Sequence, residues 1–114
     1  MRIFLVILLA VAWMGVSGCK EEVADESKLS PEASAGSLTF RSHCALCHNP
    51  HSNAPLHGPG LAGLFKKQSL PSGLPANDDR VRDSINLGRG DMPKFSEILD
   101  ERQMHDLLAY LHTL

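Results

Sequence analysis

The chain has 114 residues, enough for one small domain, with 43% apolar and 21% charged residues and a formal net charge of −2 at pH 7 with histidine neutral. Nothing in that balance suggests a nucleic-acid partner, which would call for a basic patch. Only 5% of the residues are aromatic, so an all-protein core must be thin and a domain of this size needs a staple.

The chain opens with Arg2 and then an apolar run from Ile3 to Val16. A membrane-spanning helix needs about 20 apolar residues, and this run is shorter. Residues 1–18 therefore read as a secretory signal peptide, with an uncleaved anchor as the alternative. Val16-Ser17-Gly18-Cys19 resembles the lipobox of bacterial lipoproteins, in which the cysteine becomes the first mature residue and carries lipid. An ordinary signal with a chance cysteine is the competing reading. Several acyl chains on Cys19 would anchor firmly, because each buried CH₂ contributes about 0.8 kcal/mol. Residues 19–33 then form a lipidated cysteine and a polar tether, with Glu21, Glu22, Asp25 and Glu26 giving it a solvated composition. In a diderm source, the absence of an acidic residue at Lys20 favours the outer membrane. The expected location is the periplasm or the outer face of the cell membrane.

Residues 34–114 form the domain. Ser30 followed by Pro31 predicts a helix start, running to about His43. Gly36, Phe40 and Cys44 stand four apart and share one face, where a glycine permits close approach by another helix. Gly36 as a loop residue before a shorter helix is the alternative.

Cys44-Ala45-Leu46-Cys47-His48 reads C-x-x-C-H, the attachment signature of a c-type haem. Two thiols at this spacing reach the two vinyl groups of one porphyrin, and the adjacent imidazole can bind the iron. Cys44 and Cys47 are the expected anchors and His48 the expected proximal ligand of a single covalent haem c. A thioredoxin-type dithiol would call for a strand-rich β-α-β setting, which is not present. A zinc site would need two further ligands beyond Cys44 and Cys47, from His43, His48, His51 and His57, at irregular spacing. With Cys19 lipidated, all three cysteines of the chain have a role and none is left for a disulfide. The haem would also act as the core's missing filler and staple.

Asn49 to His57 reads as loop, with His51 and His57 as solvated residues or metal ligands. Gly58-Pro59-Gly60-Leu61-Ala62-Gly63 reads as a tight turn. A metal-bound imidazole donates its other N–H to an acceptor, and the Pro59 carbonyl can serve. Gln68 to Asn77 reads as loop. Asn77 predicts a helix from Asp78 to about Leu87, with Val81 and Ile85 facing inward and Gly88 ending it. Met92, between a glycine-rich stretch and Pro93, is a candidate sixth ligand to iron; a gap-filling core side chain is the alternative. Asp100 and Gln103 form a near-capping box for a helix to about Thr113. Met104, Leu107, Leu108, Leu111 and Leu114 make its apolar stripe, which puts Met104 in the core.

Taken together, these residues resemble the class I cytochromes c of bacterial type. The resemblance covers roughly Ala35 to Leu114 and rests on Gly36 and Phe40, then C-x-x-C-H, then Gly58, Pro59, Leu61 and Gly63, then Met92-Pro93, then Leu107 and Tyr110. It implies an all-α fold of about four helices around one haem, with the first and last helices crossing at the glycine and the aromatic residues. It also implies that Pro59 supplies the carbonyl to the proximal imidazole and that Met92 is the distal ligand. The implied function is one-electron transfer by a monomer between redox partner proteins, with the membrane engaged through the lipid anchor. Two rival readings are a five-coordinate haem gas sensor or peroxidase, which needs Met92 off the iron, and a zinc-binding or structural lipoprotein.

Overall fold

The computed structural model describes residues 26–114. The signal peptide expected at 1–18 and the lipidation expected at Cys19 lie outside the described residues. The described chain is all-α, with α1 at Pro31–His43, α2 at Asp78–Leu87 and α3 at Glu101–Leu111. Single 3₁₀ turns at Glu26–Lys28 and Leu64–Lys66 take the place of a fourth helix.

Each helix starts where local chemistry satisfies its free N–H groups. The Ser30 hydroxyl accepts from the Ala33 amide at 3.1 Å, and Pro31 occupies the first turn, where no amide donor is needed. Asn77 accepts from the Arg80 amide at 3.0 Å ahead of α2. At α3 the Gln103 amide donates to Asp100 Oδ1 at 2.7 Å, and the Gln103 side chain accepts from the Asp100 amide at 3.0 Å. That helix ends at Leu111, before the expected Thr113. The last residues tighten into a turn in which the Thr113 hydroxyl donates to the Tyr110 carbonyl at 2.6 Å.

The frame of the fold is the packing of α1 on α3. A Cβ placed on Gly36 would run into the backbone carbonyl of Asp106 and the Cβ of Tyr110, so the helices meet at van der Waals distance there. One turn on, the Phe40 ring meets Tyr110 with centroids 5.4 Å apart, tilted by 54°. The whole stripe Met104, Leu107, Leu108, Leu111 and Leu114 is buried, with Tyr110 beside it. Val81 and Ile85 carry α2 onto the same core.

Packing begins ahead of the expected boundary between tether and domain at residues 33 and 34. Ala33 is 2% exposed and Leu29 packs against the core. Glu26 Oε1 accepts from the Ser37 hydroxyl and from Arg41, both at 2.9 Å, which pins the 3₁₀ turn to the side of α1. These partners hold the Glu26 carboxyl below its ordinary range, the Ser37 hydrogen bond most, then Arg41.

Candidate functional site

Helix α1 delivers the C-x-x-C-H stretch. The helix runs out at His43, and the chain turns on Phe40: both the Cys44 and Ala45 amides donate to the Phe40 carbonyl, at 2.8 and 3.0 Å. The Cys47 and His48 amides then donate to the Cys44 carbonyl at 3.0 and 2.9 Å. A core residue, Phe40 at 1% exposure, thus fixes the turn that carries both thiols and the imidazole. Both cysteines are half-buried free thiols, and burial, aided by the nearby Cys47 thiol, pushes Cys44 up to about 11.

The glycine-rich turn is shaped around His48. Its Nδ1 lies 2.9 Å from the Pro59 carbonyl; since a carbonyl only accepts, Nδ1 carries the proton and Nε2 is free. A Cβ on Gly58 would stand 2.5 Å from His48 Cε1, so only a glycine lets the turn lie flat against the ring. The Gly58 amide donates to the Cys47 carbonyl at 2.8 Å, which ties the turn directly to the haem-attachment stretch.

Met92 arrives from α2. Gly88 ends that helix at φ +66°, and a side chain there would strike the carbonyl oxygens of Met92 and Pro93. The Met92 amide donates to the Arg89 carbonyl at 2.9 Å, and the Phe95 amide returns to the Ile85 carbonyl at 3.2 Å. The loop therefore folds back over its own helix, with Met92 half-buried against the core.

These parts share one cavity of about 420 Å³, within the range of roughly 300–1,000 Å³ usual for cofactor sites. Cys44, Cys47, His48, Pro59 and Met92 all line it. The rest of its wall is largely apolar: Phe40, Leu64, Val81, Ile85, Phe95, Leu107 and Leu111. Two thiols, one imidazole with a free Nε2, a thioether and an apolar lining fit a covalently held haem.

Several wall residues carried no sequence signal. Leu70 and Pro71 come from the unassigned loop, which is a small hairpin: the Leu70 amide donates to the Leu74 carbonyl at 2.8 Å and Gly73 turns at φ +80°. His43 also reaches the wall, edge-on to Phe95 at 6.3 Å. The remaining histidines disperse. His57 is exposed at the cavity rim, His51 is exposed in its loop, and His105 lies beside Asp106. His112 stacks on Phe65 with centroids 3.7 Å apart, and its Nε2 is 2.7 Å from Asp78. Among the described residues, no three His, Cys, Asp or Glu side chains converge as a metal site. Met104 is 2% exposed in the α1–α3 core and does not line the cavity.

Comparison with known proteins agrees with this construction. Residues 31–111 match the family model described as cytochrome c oxidase, cbb3-type, subunit III. Cytochrome c6 of Tetradesmus obliquus is 28% identical over 83 residues, spanning 73% of this chain and 91% of the relative. The zinc and peroxidase readings give way to the family match, and the chain belongs to the cytochrome c family of that cbb3-type subunit III model, as an electron-transfer protein, not an enzyme, that binds haem c covalently.

Proposed function

We propose that this cytochrome is a lipid-anchored, one-electron carrier of the cell envelope with His/Met-ligated haem. Cys44 and Cys47 would hold the haem through thioethers, and His48 and Met92 would supply the protein ligands to its iron. The iron supplies the one-electron couple; every other part of the task falls to the chain. The Pro59 carbonyl holds the His48 ring in one tautomer and strengthens it as a donor. The apolar wall keeps water from the macrocycle. Ligation by both His48 and Met92 would leave the iron no open site for a substrate. Methionine ligation raises the reduction potential, which suits delivery of electrons towards a terminal oxidase or reductase.

The observation that carries this reading is the arrangement of His48 and Met92 on one cavity, with Met104 buried elsewhere and the histidines of the last helix engaged away from it. Lipidation at Cys19 would hold the carrier at the membrane, where its redox partner proteins meet it as a monomer. Met92→Ala tests the ligand set. The substitution is expected to erase the weak far-red sulfur-to-iron band of the oxidised protein and to lower its midpoint potential. An unchanged band in that variant would assign the sulfur elsewhere.

A further inference from the structure

The stretch from Asn49 to Pro55 belongs to none of the motifs above, yet it is built into the proximal side. The Leu61 amide donates to the Asn49 carbonyl at 2.8 Å, fastening the far end of the glycine-rich turn to the residue after His48. Gly60 is buried, and a Cβ on it would collide with the Ser52 carbonyl and the Asn53 backbone, so this stretch lies directly on the turn. Two local bonds hold its shape: the His51 amide donates to Asn49 Oδ1 at 3.2 Å, and the Ala54 amide to the Ser52 hydroxyl at 3.0 Å. Lys67 closes it from the other side. Its Nζ donates to Asn53 Oδ1 at 2.9 Å and to the Gly60 carbonyl at 3.4 Å. Two successive carbonyls of the turn are thus held, that of Pro59 by the imidazole and that of Gly60 by a lysine that also grips the stretch above.

We propose that residues 49–55 form a proximal strap whose Asn53–Lys67 clasp keeps the Pro59 carbonyl on the His48 Nδ1–H. Asn53 and Lys67 are then positioning residues, acting on the iron only through the imidazole. This rests on the reading of His48 as the proximal ligand. A metal-bound histidine whose outer hydrogen bond is firm is a stronger electron donor and stabilises the oxidised metal. Loosening the clasp therefore weakens the donor and raises the midpoint potential. Lys67 also brings a positive charge, whose removal acts in the opposite direction. Asn53→Ala, which leaves all charges in place, is accordingly the diagnostic change.

The experiment follows the His48 Nδ1 proton by NMR in the reduced, haem-loaded full chain. Asn53→Ala and Lys67→Met are both expected to speed its exchange with solvent by about tenfold, the weight of one lost hydrogen bond in the opening equilibrium. Asn53→Ala is expected to raise the midpoint potential as well. Asn53→Asp, which still accepts from Lys67, should restore slow exchange. Equal exchange in the unmutated, Asn53→Ala and Lys67→Met proteins would overturn the strap. His48 ring signals without the large upfield shift of an iron ligand, already in the unmutated protein, would overturn the ligation reading and the strap with it.

Discussion

Gly58 and the His48 imidazole are packed so closely that a single added carbon on the glycine would stand 2.5 Å from the ring. The proximal wall is therefore shaped by the absence of a side chain. Gly58→Ala should push the ring off the Pro59 carbonyl and destabilise the holoprotein by about 1–3 kcal/mol, the usual cost of overpacking. Denaturant unfolding measures it. Gly73→Ala is the control: nothing lies within 4 Å of that position, so only the cost of its left-handed φ, about 1–2 kcal/mol, is expected and the haem spectrum should not change.

Gly36→Ala separates propensity from packing. In a free helix the change would add about 0.8–1.0 kcal/mol of stability. Here the new Cβ meets the Asp106 carbonyl, which is backbone and cannot move aside. Net destabilisation by about 1–3 kcal/mol is expected. A stabilised variant in urea unfolding would show that α1 and α3 do not pack this closely.

The helices were legible in the sequence because their start signals are local. Ser30-Pro31, Asn77, and Asp100 with Gln103 each satisfy amides within three residues, and α1, α2 and α3 begin where those residues place them. The thiols and His48 come from one contiguous motif. What the sequence did not disclose pairs residues far apart. Asn53 falls in a stretch read as loop and Lys67 belongs to no motif, and only the folded chain joins them. His112 and Phe65 stack across the molecule with no periodicity to announce it. Glu26 has tether composition, and its docking depends on Ser37 and Arg41 standing one turn apart on α1. The contact between His48 and Pro59, eleven residues apart, was open to expectation from the need of a bound imidazole for an acceptor, and the family resemblance pointed to it as well.

The Glu26 contact makes an acid-sensitive element. Its carboxyl titrates below 4.5 in the folded chain, first because of the Ser37 hydroxyl and then because of Arg41. A lowered folded value means that its contribution is fully present above 4.5 and fades as pH falls through the folded value. Thermal melting of the unmutated protein and Glu26→Gln should differ at neutral pH and converge in acid. A difference that persists unchanged at pH 2 would contradict this assignment.

Cys19→Ser tests the anchor. The unmutated protein should carry the mass of its acyl chains and partition with membranes. The variant should lack that mass and either leave the membrane fraction or accumulate as an uncleaved precursor. A native protein without acyl mass that washes off membranes with salt would remove the anchor from the account.

The most direct measurement of the central claim is the optical spectrum of the unmutated, haem-loaded protein, oxidised and then reduced under carbon monoxide. Six-coordinate iron held by His48 and Met92 predicts the weak far-red sulfur-to-iron band in the oxidised form and no rapid carbon monoxide binding in the reduced form. Rapid carbon monoxide binding together with the absence of that band would contradict it, and would place Met92 off the iron.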